Sequence, residues 1–367
     1  MRSKGFVILA VVTAASVAAA AWAVIEREKR TSAAAAPAAL FPGLIDRVND
    51  VDSVAVRGPG IEFTIVRGED GGWSVPEKGG YPVPFETVKQ AVVGIAALKP
   101  LEPRTAKPEL HAKLNLRAPE NNGRGTLLAL RDGGGQDLAA VIVGKTRSVA
   151  TSARPGWHYV RKADENQSWL AEGRVEVWDK IDRWLDSEMP IVERRRVHIV
   201  RTVKPGGEVI AIAKEDPDAR DFTVLDIPDG MRMLHTTSAN SLGSAFGFLT
   251  FEDVVPADQK PLDDPLLVQV KTFEGLVVEL HVVKTDDDAY WCRFSGRFDP
   301  ESVAMDGLSE GKRHGMKTED EVREEADRIN ARFGGWVYKL PEYKGKDFFI
   351  TRDELIMKIP EGEKTGG

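Results

Sequence analysis

The chain has 367 residues, a length suited to two or three domains or to one large body with an internal duplication. Its hydrophobic share of 42% and charged share of 29% are those of a folded protein, which excludes wholesale disorder and a multi-span membrane protein. Fifty Lys and Arg against 57 Asp and Glu give a net charge of -7, so no global basic field is present to hold nucleic acid, and the single Cys292 can form neither an intrachain disulfide nor, by itself, a thiolate metal site.

Phe6 to Ile25 runs without a charge and, at about 1.5 Å per residue, is long enough to cross a hydrocarbon core. Arg2 and Lys4 precede the run, and Glu26 to Arg30 follow it with both signs of charge. A short basic head followed at once by an apolar run is the arrangement that export machinery reads, which predicts a cytoplasmic head (1–5), a transmembrane anchor (6–25) and an exported body. A cleaved signal is the competing reading, since Ala18 and Ala20 offer a small-x-small site. The length of the run and Trp22 at its far edge favour an anchor. Residues 26–43 form a spacer, with the low-complexity stretch TSAAAAPAA from Thr31 to Ala39.

From Leu44 the pattern has period two. Val54 and Val56, then Ile61, Phe63 and Ile65, flank Gly58-Pro59-Gly60 and predict a hairpin; Trp73 and Val75 start a third strand. Pro84 opens a helix carrying Phe85, Val88, Val92 and Ile95 at helical spacing. Strands follow at Leu127 to Leu130, Leu138 to Val143 and Trp157 to Val160, then a helix with Trp178, Ile181 and Leu185. The strand-strand-strand-helix order recurs at Val197 to Val203, Glu208 to Ala213, Phe222 to Leu225 and the helix through Ala239, Leu242 and Phe246. A third copy is traced over Leu266 to Phe273, Leu276 to Val283, Tyr290 to Phe294 and a helix with Val322, Ala326, Ile329 and Phe333. The class expected is α+β: repeated units of antiparallel strands plus a helix, in a first domain over 44–190 and a second over 191–367.

The runs GWSV (Gly72 to Val75), Tyr81 to Leu116, VIVGKT (Val141 to Thr146) and His158 to Glu172 resemble a bacterial family known as domain of unknown function 4340. Asn115 stands where that family commonly has glycine, and asparagine tolerates the left-handed backbone of such a turn. The resemblance implies a single-pass envelope protein, often encoded beside gliding-motility-type ABC transport components, with an accessory role and no established enzyme activity.

No residue pattern specifies chemistry. Gly144-Lys145-Thr146 ends like a phosphate-binding loop, but Ala139 occupies the position of that motif's first glycine, so a strand-end turn is expected. Gly133 to Gly135 reads as a hairpin turn. His111, His158, His198, His235, His281 and His314 lack ligand spacing; His198 and His281, within strands, are expected to be partly buried and bonded to backbone. The acidic clusters Glu215-Asp216 with Asp218, Asp263-Asp264 and Asp286 to Asp288 lack the alternation of a calcium loop and read as solvated turns. Cys292 reads as a core residue. No catalytic, cofactor-binding or metal-binding residue is therefore assigned, and no cofactor is expected.

The residues singled out for partner contact are Trp157 and Trp169, from a tryptophan-rich stretch, and Arg194, Arg195 and Arg196 at the junction of the halves. The functional expectation is a non-enzymatic protein anchored in the cytoplasmic membrane through residues 6–25, with its bulk in the periplasm. There it would bind protein partners, and no nucleic acid, as an accessory or scaffold subunit of an ABC-type transport or gliding-motility-like complex. A periplasmic small-ligand or glycan-binding module is the alternative, and a hydrolase with carboxylates that converge only in three dimensions is the third.

Overall fold

The computed structural model describes residues 39–151, 154–178 and 180–359. The expected anchor at 6–25 lies outside these residues. Among the described residues no helix is long and apolar enough to cross a membrane.

In chain order the strands are β1 (Ser53–Gly58), β2 (Ile61–Arg67), β3 (Trp73–Val75), β4 (Tyr81–Val83), β5 (Lys99–Pro103), β6 (Thr126–Arg131), β7 (Asp137–Ser148), β8 (Gly156–Lys162) and β9 (Ser168–Gly173). They continue as β10 (Val197–Val203), β11 (Val209–Ala213), β12 (Thr223–Val224), β13 (Met231–Met233), β14 (Asp253–Pro256), β15 (Leu266–Thr272), β16 (Leu276–Lys284), β17 (Tyr290–Phe298), β18 (Trp336–Leu340) and β19 (Ile356–Lys358). The main helices are α1 (Phe85–Ala96), α2 (Thr236–Ser244), α3 (Glu319–Phe333) and α4 (Glu342–Phe348). The class is α+β, with antiparallel sheets and few helices.

The described residues pack as two compact units: one holds those up to Arg67 and those from Phe85 to Trp178, the other Gly68–Pro84 and those from Lys180 on. This differs from the continuous 44–190 and 191–367 division expected from sequence, because the hairpin β3–β4 packs its aromatic side chains into the second unit. Tyr81 makes edge contacts with Trp336 (4.9 Å) and Phe251 (5.8 Å) and donates from its hydroxyl to the Asp186 carbonyl at 3.0 Å.

In the first unit the strand order is β2-β1-β6-β7-β8-β9-β5. Cross-strand partners put Val56, Phe63 and Leu128 on one face, and Val54, Ile65 and Leu130 beside them, all almost fully buried. On α1, Val88, Ala91, Val92 and Ile95 are buried at helical spacing. Opposite, the loop through Leu114 and Asn115 crosses β7 so closely that a Cβ at Gly144 would sit 2.2 Å from the Leu114 carbonyl oxygen. Gly144, Lys145 and Thr146 are thus strand residues, not the strand-end turn expected, and the glycine is required by that crossing. Asn115 does adopt the left-handed backbone, with φ 58°.

In the second unit the order is β12-β11-β10-β15-β16-β17-β18-β14. Seven of its strands, β11 through β14 in that order, repeat the pairing of the first unit place for place: β11 takes the place of β2, β15 of β6, β14 of β5. The expected third copy is therefore not a copy. β15, β16 and β17 continue the second sheet, in the places that β6, β7 and β8 hold in the first. α3, opened by a capping box between Thr318 and Glu321, is carried by the segment between β17 and β18. The helix expected around Trp178, Ile181 and Leu185 is not found among the described residues: what forms there is a single 3-10 turn, Ile181–Arg183, with Trp184 and Leu185 buried behind it.

Candidate functional site

Arg194, Arg195 and Arg196 form a basic triplet in the second unit, and their side chains end in three separate networks. Arg194 donates to the Asn240 side-chain oxygen at 2.9 Å and stacks on Phe222, 4.7 Å from the ring centre. Arg195 pairs with Asp218 at 2.9 Å and donates to the carbonyls of Lys312 (2.9 Å) and His314 (2.6 Å). Arg196 is buried, donates to Glu274 from its Nε, and meets both carboxylate oxygens of Glu325 on α3 at 3.0 and 2.7 Å. Burial by itself lowers a guanidinium's pKa, but the bonds and charges of Glu325 and Glu274 outweigh it and raise that of Arg196. Burial likewise pushes the Glu325 carboxyl up, and Arg196 and Lys317 more than reverse it, so Glu325 stays ionised. A buried carboxylate, Glu274, and a half-buried one, Glu325, do converge here, around Arg196, with Lys317 also paired to Glu325 at 3.0 Å. That is the geometry of an ion-pair clasp.

Other buried ionisable groups serve the fold in the same way. Arg161 donates to four backbone carbonyls, those of Leu116, Lys162, Ala163 and Glu165. Lys214 donates to the Pro217 carbonyl at 2.7 Å, and burial, reinforced by the Arg194 charge, depresses its ammonium pKa to about 8. His111 bonds the Asn166 carbonyl and His158 the Thr146 hydroxyl, and burial lowers the His158 pKa. His198 stacks on Phe273 at 4.8 Å. His281 is exposed, against expectation, because its alternate position on β16 points away from the core. Cys292 is fully buried and burial raises its thiol pKa, so it is a core residue and not a nucleophile.

The acidic clusters are turn chemistry. Asp288 has φ 62° at the β16–β17 tip and pairs with Lys284 at 2.7 Å; Asp216 accepts from the Asp218 amide and pairs with Lys312 at 2.5 Å. Among the described residues no group of three or more His, Cys, Asp or Glu is arranged to hold a metal ion.

The two tryptophans do not form one patch. Trp157 pairs across the strands with Glu172 and Trp169 with Val160, so the rings lie on opposite faces of the first sheet. Trp157 is exposed, with the Arg147 guanidinium 5.7 Å from its ring centre, while Trp169 is half-buried. Trp291 carries Lys260 over its face at 4.4 Å. No tryptophan platform of the kind expected for glycan stacking is assembled from these rings.

An open cleft of about 590 Å³ lies in the first unit between the outer side of α1 and the ends of β5 and β9. Gly94 forms part of its floor; a Cβ there would meet the Arg174 carbonyl at 2.3 Å, so the glycine lets the helix approach the strand end closely. Val93 adds exposed apolar surface. Lys99 and Glu172 face each other across β5 and β9, and neither they nor Glu176 forms a side-chain hydrogen bond or ion pair among the described residues. Sequence reasoning missed this cleft. Its one local signal was a glycine in the middle of an otherwise regular helix, which usually has a packing reason. A second cleft, about 610 Å³, runs between residues 188–191 and α3 and is lined by the already paired Glu325 and Arg332.

No curated protein and no solved structure matches the chain. Residues 73–265, more than half of its 367, match the model of the family described as domain of unknown function (DUF4340), from β3 through the segment before β15, and the chain belongs to that family.

Proposed function

We propose that the protein is a non-enzymatic, membrane-anchored envelope protein that works through contacts with protein partners, as an accessory or scaffold subunit of an ABC-type transport or gliding-motility-like complex. In this reading residues 6–25 hold it in the cytoplasmic membrane as a single span, and its bulk lies in the periplasm. The observation that supports it is the division of labour among charged groups. Those that are buried, Arg161, Arg196, Glu274 and Lys214, together with the half-buried Glu325, are spent on holding the fold. The open cleft instead carries Lys99, Glu172 and Glu176, exposed or half-exposed charges of both signs that form no side-chain hydrogen bond or ion pair among the described residues, which suits complementary charges on another protein better than bond chemistry.

The test is site-specific photocrosslinking from Gln90, which lines the cleft, in native membranes. A discrete adduct with a membrane-embedded protein, lost on charge reversal of Lys99 and Glu172, is the expected result. Adducts unchanged by that double reversal overturn the assignment of the cleft, and activity lost through a single exposed carboxylate in a folded, membrane-bound chain overturns the non-enzymatic reading. An alkaline phosphatase fusion after residue 60 should be active, since that enzyme needs an oxidising compartment.

A further inference from the structure

From Leu138 to Ala163 the chain contains Lys145, Arg147, Arg154, Arg161 and Lys162 and no Asp or Glu, within a protein of net charge -7. The structure separates these cations into two sets. Arg161 is consumed by backbone carbonyls and Lys162 by Glu165, whereas Lys145, Arg147 and Arg154 are exposed around the far end of the β7–β8 hairpin. Arg174 adds a fourth cation there, its guanidinium bonded to the Thr151 carbonyl at 2.9 Å. Val149, 77% exposed, and Trp157, 37% exposed, stand among them. Glu172 pairs across the strands with Trp157, and it lines the cleft together with Glu176 and Arg174.

The place where the tether reaches the body is close by. The Leu40 amide donates to the Leu98 carbonyl; the adjoining Lys99 pairs with Glu172, and Glu172 with Trp157, so the entry point is three hydrogen-bonded steps, about 15 Å, from the tryptophan. Residues 26–38, between the proposed span and the described body, reach at most about 45 Å when fully extended. Four cations, an aromatic ring of the kind that favours headgroup depth and an exposed aliphatic tip, on a short tether, form a surface complementary to anionic lipid.

We infer that this hairpin end docks on the anionic phospholipid surface of the membrane that holds the anchor. The inference rests on the anchor reading of the proposed function, and it sets which side of the first unit faces the bilayer. The test uses the full chain carrying Val149→Cys with an environment-sensitive fluorophore; Cys292 is fully buried and does not compete for the label. The labelled chain is placed in nanodiscs of phosphatidylcholine alone and of phosphatidylcholine mixed with phosphatidylglycerol. Blue-shifted emission in the mixed discs only, lost in high salt and in the Lys145→Glu, Arg147→Glu double variant, is the expected result. Emission that stays water-like in both discs, in a chain that co-elutes with them, overturns this inference alone and leaves the surface to an acidic protein partner. A chain that co-elutes with neither disc overturns the anchor reading and this inference together.

Discussion

Arg196 shows how a residue conspicuous in sequence can have a purely internal role. Glu193 to Arg196 reads as a charged junction ready for a partner, yet its partners Glu274 and Glu325 lie 78 and 129 residues further on, a separation that no local pattern reveals. Removing one member of a buried pair strands the other charge, so Arg196→Ala should cost about 3–5 kcal/mol in chemical denaturation. Arg195→Ala, at an exposed pair, should cost about 1 kcal/mol or less; equal losses would mean that Arg196 is not the clasp the geometry makes it. Lys214 gives a second prediction at this scale. Its pKa is about 8 in the folded chain against an ordinary 10.5, so between those values the unfolded state binds more protons and stability rises with pH. Below about pH 8 both states carry the charge and the burial cost is full; above 10.5 neither does. The difference in denaturation midpoint between the natural chain and Lys214→Met should therefore shift in favour of the natural chain as pH rises through this window. A constant difference would place Lys214 in water.

Elements were legible where a period was sustained. Val54, Val56, Phe63 and Ile65 alternate because one sheet face is buried, and Val322, Ala326, Ile329 and Phe333 lie on one side of α3, so both were readable directly. Trp178, Ile181 and Leu185 mimic that spacing over a segment with one 3-10 turn, because burial of a ring such as that of Trp184 does not require a helix. The third copy failed for a related reason. Three antiparallel strands followed by a helix form a common local order, and only the long-range pairing of β10 with β15 shows that β15 continues a sheet instead of starting one. The cleft was illegible for the same cause, since Lys99 and Glu172 meet only through the β5–β9 pairing. Gly144 offers the element-scale test: with the Leu114 carbonyl 2.2 Å from any added Cβ, Gly144→Ala must displace either β7 or the crossing loop and should cost about 1–3 kcal/mol. Gly134→Ala, in the β6–β7 turn with only the Asp132 carboxylate nearby, should cost less; the reverse order would disprove the tight crossing.

At the scale of the whole molecule, the seven-strand order that recurs in both units and the residence of β3–β4 in the second unit pull sequence order and packing apart. Residues 68–84 lie in sequence between β2 and α1, both of the first unit, yet Tyr81 is buried among Phe251, Trp336 and Tyr338, and Lys78 pairs with Asp253 at 2.5 Å. Cooperative opening follows packing, so the hairpin should share the free energy of the unit that buries it. In hydrogen exchange under mild denaturant, the β3–β4 amides should lose protection together with β14 and β18, at a denaturant dependence different from that of β1 and β2. Tyr81→Ala removes a large buried ring and should cost about 3–5 kcal/mol, by analogy with other aromatic truncations. That loss should weaken protection of β14 and β18 while leaving β6 and β7 nearly unchanged. Exchange of β3–β4 in step with β1 and β2, or a loss from Tyr81→Ala confined to the first unit, would show that the hairpin folds with its sequence neighbours.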